Sequence, residues 1–348
     1  MSKPPVNYSE YLQLDKILDA QFPESDKEKV DAHDEMLFII IHQAYEVWFK
    51  QILHEIDSCN KLLSGDTLKD NSPDLQTIVH RTNRITTILK VLVHQIDIME
   101  TMTPMDFLDF RDLLRPASGF QSWQFKTIEA KLGLKFEHRH GQNYYTSQLK
   151  PQQVAMIKQV ESQPSIIQLL NNWLERMPFF EKDELWQNFN SLYENTGNKH
   201  AFWNDYINIY AEGLGEGEKQ NLTAFENYFF SEEVNPERQL STKAARAALF
   251  IMLYRGYPLL QYPYQLLNNL LEIDEQMAIW RFRHINMVGR IIGMRTGTGG
   301  STGKEYLMGA LSKHYIFKEI SGMTSFLIES RRRPKLSKEL EIKLGFVN

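Results

Sequence analysis

Two histidines stand within long apolar runs, where an imidazole can meet a ligand or a metal ion. His42 follows Phe38 by four residues and precedes Tyr45 by three, so the three share one helical face. Two interpretations of His42 remain open. It is either a histidine packed in the interior, or a neutral histidine that faces a cavity and hydrogen-bonds a substrate.

His284 lies in an apolar row at helical spacing, and this pattern also has two interpretations. The apolar members of the row are Met277, Trp280, Val288 and Ile291. The pattern is typical of a core helix, but a single histidine pointing off such a row is also what a five-coordinate haem needs as its proximal ligand. Three arginines on the same run either meet haem propionates or simply lie at the helix surface, where arginines are common: Arg281, Arg283 and Arg290.

Arg111 lies between Phe107 and Leu114 on one predicted helical face. A buried guanidinium must pair with an anion, because an isolated buried charge is costly. Either Asp109 or Asp112 supplies that anion, or the carboxylate of an amino-acid ligand does so with two parallel hydrogen bonds.

A glycine-rich segment, Gly-Thr-Gly-Gly-Ser-Thr-Gly, covers residues 297–303. A Walker phosphate loop ending at Gly303 needs glycine at position 298 and Ser or Thr at position 305, where this chain has Thr298 and Glu305. A dinucleotide fingerprint from Gly297 needs Gly or Ala where Thr302 stands. The segment is therefore either a plain interhelical turn or a flexible backbone that binds a carboxylate or an ammonium group.

Helical periodicity dominates the chain, and the sequence predicts an all-α fold. The predicted helices cover 34–58, 75–102, 107–114, 123–132, 151–161, 165–177, 223–230, 244–254, 274–293 and 306–328, and 258–263 is expected to be a loop. Apolar helices continue on both sides of every loop, so we expect one large all-α domain over 1–348. Within it, 1–30 is expected to be an N-terminal arm and 135–240 a peripheral helical insertion.

Composition excludes several classes of protein. A formal net charge of −5 gives no general attraction to nucleic acid or to an anionic membrane. Cys59 is the only cysteine, which rules out an internal disulfide, zinc fingers and cysteine-ligated clusters. The first residues lack an apolar core of the signal-peptide type, and no stretch approaches about 20 apolar residues. We therefore expect a cytoplasmic protein that does not cross a membrane.

Five segments, taken in their order, resemble the tryptophan 2,3-dioxygenase family. They are Tyr8–Asp15, His33–Gln51, Phe110–Ser122, Trp280–His284 and Gly297–Gly303. They run from residue 8 to beyond residue 300, so the resemblance covers nearly the whole chain. It implies an all-helical fold that binds haem b and assembles as a homotetramer, a dimer of dimers. It also implies oxidation of L-tryptophan by O2 to N-formyl-L-kynurenine.

The resemblance also implies roles for individual residues. His284 corresponds to the proximal iron ligand, and His42 to the distal histidine near the indole N–H. The residues expected to bind tryptophan are Phe38, Phe107 and Leu114 around the indole, Arg111 on the carboxylate, and Thr298 on the carboxylate and ammonium groups. Ser118 is expected near the haem edge. Tyr8 and Tyr11 match tyrosines that approach the pocket, Tyr11 from an adjacent subunit.

Two other functions remain open at this point. One is a related haem enzyme that inserts a single oxygen atom into another indole. It would share His284 but would not have both Arg111 and Thr298, the two residues expected to bind the amino-acid groups. The other is a haem sensor, or a helical scaffold in which the glycine segment is only a turn.

Overall fold

The computed structural model describes residues 5–65, 68, 72–140, 142–180, 182–195, 197, 199–233, 235–293 and 303–345. Every regular element among these residues is helical, which confirms the predicted all-α fold. None of the helices described is long and apolar enough to cross a membrane.

The helices are named here in chain order. The first group is α1 (Tyr8–Leu12), α2 (Leu14–Leu18), α3 (Glu24–Glu28), α4 (Glu35–Leu63), α5 (Pro73–Met99), α6 (Pro104–Arg111) and α7 (Trp123–Leu132). The second is α8 (Gln142–Ser147), α9 (Pro151–Glu161), α10 (Ile166–Glu175), α11 (Ala201–Gly213), α12 (Gln220–Phe230) and α13 (Thr242–Leu253). The last is α14 (Pro258–Ile292), α15 (Gly303–Lys313), α16 (Lys318–Gly322) and α17 (Lys338–Lys343). Short 3-10 turns join them at Asp112–Leu114, Gly119–Gln121, Phe136–His138, Asp183–Trp186, Glu216–Glu218, Met323–Phe326 and Ser330–Arg332.

Three long helices, α4, α5 and α14, form the frame that carries the site. Each buries an apolar stripe against the others. Polar contacts fix their relative positions: the Asn269 amide of α14 donates to the Val79 carbonyl and the Thr82 hydroxyl of α5, both at 3.0 Å. The Tyr45 hydroxyl of α4 donates to the Leu92 carbonyl of α5 at 2.8 Å. The frame is therefore held by packing and by hydrogen bonds that set its register.

The apolar interior has two parts. The larger cluster joins α4, α5, α7, α10, α13 and α14 with the C-terminal segments. The smaller one brings together Ile41, Ile96, Phe107, Phe110 and Met287. His42, Arg111 and His284 belong to the helices that build the smaller cluster.

The predicted loop at 258–263 is wrong, because these residues are the first turns of α14. Pro258 occupies the first turn, where the missing N–H costs nothing. Pro263 lies inside the helix and is buried together with Leu260 and Leu267. The free energy gained by burying that face outweighs the cost of the backbone hydrogen bond that Pro263 cannot donate.

The single long helix predicted over 306–328 is also wrong, since α15 ends at Lys313 and α16 begins at Lys318. The carboxylate of Asp274, buried on α14, accepts from the backbone N–H of Ile316 at 3.1 Å and of Phe317 at 2.6 Å. Because these two N–H groups donate to Asp274, they do not make the backbone hydrogen bonds that would join α15 to α16. The helix is therefore interrupted between Lys313 and Lys318.

The segment 135–240 contributes to the main interior. Trp173 of α10 and the neighbours Phe202 and Trp203 of α11 are almost fully buried in the larger cluster. That the segment is an insertion on a smaller core, with 1–30 as a separate arm, remains a prediction.

Candidate active site

One cavity brings together residues from seven of the helices described. It is lined by Phe38 and His42 of α4, Arg111 of α6, Lys126 of α7 and His284 of α14, with α15 contributing Ala310. Apart from these polar groups, its wall is mainly aromatic and aliphatic, as is usual for a site that holds a flat organic ligand.

His42 is held in one tautomer by its own helix. Its Nδ1 lies 2.7 Å from the Phe38 carbonyl oxygen, which can only accept, so Nδ1 carries the proton. Nε2 is then left with a lone pair. Burial lowers the pKa of His42 and outweighs the opposing effects of the Phe38 carbonyl and Glu46. A neutral His42 is therefore an acceptor that lines the cavity.

His284 is a neutral imidazole stacked on an indole. Its ring lies 5.0 Å from that of Trp280, with 7° between the planes. Burial, and then the proximity of His42, lower the pKa of His284 to about 4. Its Nδ1 is buried, and no hydrogen-bond partner for it occurs among the described residues.

Aromatic rings form the wall beside His42. The ring of Phe38 lies 4.2 Å from His42 and 5.7 Å from Phe107. Phe107 meets Phe110 edge to face at 5.3 Å. Leu114 packs on the same apolar cluster but is not among the residues that line the cavity.

Arg111 reaches the cavity from the last turn of α6 and is only 5% exposed. Its Nη1 lies 3.8 Å from the Asp112 carboxylate, at the limit of an ion pair, and that carboxylate also lies 3.2 Å from Arg115. The Thr103–Asp106 capping box fixes the start of α6. Ser118 also lines the cavity, and its hydroxyl accepts from the Phe120 N–H at 3.3 Å.

A buried carboxylate, which the sequence analysis missed, organises another part of the wall. Glu129 of α7 pairs with Arg139 and with Arg281 of α14, each at 2.6 Å, and lies 3.6 Å from His314 Nδ1. Burial by itself raises the pKa of Glu129, but Arg139, His314 and Arg281 together hold that pKa well below its usual range. Glu129 stands between Phe125 and Leu132 in an apolar pattern, the signal that singled out Arg111.

The three arginines flanking His284 have different environments. Arg281 lines the cavity. Arg283 turns toward α5 and pairs with Asp97 at 2.6 Å and Glu100 at 3.0 Å. Arg290 is exposed and lies outside the cavity wall.

Two tyrosines singled out in the sequence lie outside this cavity. Tyr8 and Tyr11 of α1 are 73% and 74% exposed and do not line the cavity of their own chain. Thr298, with most of the glycine-rich segment, lies outside the described residues.

Comparisons with known proteins agree over nearly the whole chain. The sequence profile of the family described as tryptophan 2,3-dioxygenase matches residues 1–327. A tryptophan 2,3-dioxygenase of Bdellovibrio bacteriovorus is 41% identical over 99% of both chains. One from Dictyostelium discoideum is 41% identical over 98% of this chain and 88% of its own length. Tryptophan 2,3-dioxygenase B of Danio rerio is 39% identical over 95% and 84%, respectively.

Proposed function

The chain belongs to the tryptophan 2,3-dioxygenase family, and we propose that it is a haem-dependent oxidoreductase that opens the indole C2–C3 bond of L-tryptophan. Both atoms of O2 enter the product, N-formyl-L-kynurenine. The observation that carries the proposal is the cavity itself, in which two neutral histidines from α4 and α14 share an aromatic wall with the buried Arg111.

The residues present fit haem b. His284 is neutral at physiological pH, as an iron ligand must be, and stacking on Trp280 fixes its ring. The Nδ1 atom of His284 is buried and has no hydrogen-bond partner among the described residues. A buried polar atom without a partner is unusual in a folded protein and is typical of a residue with a functional role. We propose that His284 ligates the iron and that Ser118 lies at the haem edge. When bound, haem supplies the chemistry that activates O2.

The protein itself binds and orients the amino acid. With Nδ1 donating to Phe38, Nε2 of His42 is free to accept the indole N–H. Phe38 and Phe107 shape the indole site, with Leu114 supporting them from behind. Arg111 binds the carboxylate with two parallel hydrogen bonds, and Thr298 completes the contact with the carboxylate and ammonium groups. The neutral state of His42 suits either a hydrogen bond or a proton transfer.

The test combines a spectrum with isotope analysis of the product. Purified protein is expected to show the Soret band of haem and, with L-tryptophan and labelled O2, a product that carries two labelled oxygen atoms. His284→Ala is expected to lose haem, whereas Arg111→Ala mainly raises KM because it removes a contact with the substrate. A haem-replete, fully active His284→Ala protein would sink the assignment. A product with one labelled atom would identify an indole oxygenase, and absence of a Soret band would identify a scaffold.

Assembly and location complete the proposal. The N-terminal segment exposes four large apolar side chains, Tyr8, Tyr11, Ile17 and Phe22, and clustered exposed apolar side chains are typical of an interaction surface. We propose that this arm packs on a neighbouring subunit in a homotetramer, with Tyr11 reaching that subunit's site, and that the enzyme works in the cytoplasm. Light scattering of the purified protein tests the oligomeric state.

A further inference from the structure

Part of the cavity wall carries more positive charge than its own carboxylates balance. We name Lys126, Arg139 and Arg281 the basic wall; all three line the cavity, and all are at most 8% exposed. Glu129 pairs with both arginines at 2.6 Å. The half-buried Glu161 lies 3.8 Å from Arg139 Nε. Among these five side chains, three cations thus face two carboxylates, and one positive charge is left over.

The excess charge belongs to Lys126. No carboxylate pairs with its ammonium group among the described residues, although Glu129 stands one turn later on α7. Its Nζ lies 5.2 Å from the centroid of the Tyr145 ring, whose other close cation is Arg139 at 3.8 Å. A ring that serves two cations compensates each of them poorly.

Burial lowers the pKa of Lys126 to about 8, so the side chain still carries its proton at neutral pH. A buried, charged lysine without an anion lowers the stability of the folded protein. We therefore expect such a lysine where a bound ligand supplies the missing negative charge.

We propose that Lys126 binds one carboxylate of the haem, completing the basic wall and anchoring the haem from α7 while His284 ligates it from α14. This inference rests on the proposed function, since it requires haem in this cavity. Haem brings two propionate carboxylates into the pocket that holds it. Arg111 is assigned to the amino acid, and both arginines of the basic wall already share Glu129. Lys126 is therefore the cation with capacity for a new partner.

The experiment measures loss of haem from the purified holoenzyme. Excess haem-scavenging apoprotein is added, and decay of the Soret band gives the dissociation rate. Lys126→Gln is expected to lose haem between about tenfold and about a hundredfold faster than the wild type, the factor expected for one charged hydrogen bond. Lys126→Arg, which keeps the charge, is expected to stay within about threefold of the wild type.

The matched control is Lys131→Gln on the same helix, because Lys131 pairs with Asp57 outside the cavity. It is expected to leave the haem-loss rate unchanged. Lys126→Met replaces Lys126→Gln if the glutamine variant does not fold, since an apolar chain of similar length suits a buried position. It is expected to lose haem about tenfold to a hundredfold faster than the wild type, as the glutamine variant would.

Haem with both carboxylates methylated separates charge pairing from packing. The wild type and Lys126→Gln are expected to lose this ester at equal rates, because a methylated carboxylate has no charge to pair with Lys126. Equal loss of ordinary haem by the two proteins would overturn the inference. So would an unchanged haem-loss rate with a raised KM, which would assign Lys126 to the substrate carboxylate. A wild type that binds no haem would instead overturn the proposed function.

Discussion

Replacing Glu129 with Gln tests the buried cluster that joins α7, α14 and the segment after α15. The substitution keeps the size of the side chain and removes its charge. Arg139 and Arg281, 4% exposed each, then lose the carboxylate that lies 2.6 Å from both. Removing one partner of a buried ion pair costs about 3–5 kcal/mol, because the remaining charge stays buried and uncompensated.

The assay is urea denaturation at a fixed haem concentration, since bound haem contributes to stability. With an m-value of about 3 kcal/mol/M, the expected loss lowers the midpoint by about 1 M or more. The control is Asp57→Asn, which breaks the surface pair with Lys131; the Asp57 side chain is 56% exposed. That surface pair contributes less than about 1 kcal/mol to stability, so the urea midpoint of Asp57→Asn should lie within about 0.3 M of the wild-type value.

The pH dependence gives a second check. The pKa of Glu129 in the folded protein lies well below its usual value of 4.5. A depressed carboxyl pKa stabilises the fold above the unfolded pKa, and that stabilisation is lost as the pH falls through the folded pKa. The stability difference between the wild type and Glu129→Gln should be constant above pH 4.5 and shrink only in stronger acid. A difference matching that of Asp57→Asn would refute the buried-cluster reasoning.

Two further predictions follow from single residues. A Cβ on Gly309 of α15 would lie 2.3 Å from the His140 ring, whereas one on Gly322, also helical, meets nothing within 4 Å. Gly309→Ala is therefore expected to cost about 1–3 kcal/mol and Gly322→Ala to gain about 0.4–1 kcal/mol, seen as opposite shifts in Tm; equal shifts would contradict the close approach. The pKa of His42 is lowered from 6.5 by burial, so its acceptor Nε2 is lost only in acid. KM for L-tryptophan should stay flat down to pH 6.5 and rise only in more acidic solution, and His42→Ala should lack that rise; a variant that keeps the rise would remove His42 from the substrate contact.

Local pattern alone determined most of the helical framework. The predicted helices at 123–132 and 151–161 match α7 and α9 at both ends. Their limits depend on nearby signals: the Ser122 cap and Gly133 for α7, and Pro151 for α9. The start of α14 and the break after α15 could not be predicted, because buried packing around Pro263 and the distant Asp274 decide them.

For the site, the sequence determined which residue types stand in apolar helical rows, and the family resemblance selected His42, Arg111 and His284 among them. Periodicity alone could not separate a packed histidine from one that lines a cavity, since both lie on the apolar face of a helix. The tertiary structure placed the two histidines in one cavity and gave His42 its tautomer.

Only the tertiary structure showed the basic wall and its carboxylate. Glu129 lies 10 residues from Arg139 but 152 from Arg281, and only Arg281 of the two lies on a helix. Ion pairs at such separation leave no periodic signal, because they depend on how α7 and α14 pack. The sequence thus determined the helices and the chemistry available on their faces. Packing decided which charges compensate one another, and it left Lys126 in the cavity wall without a carboxylate partner among the described residues.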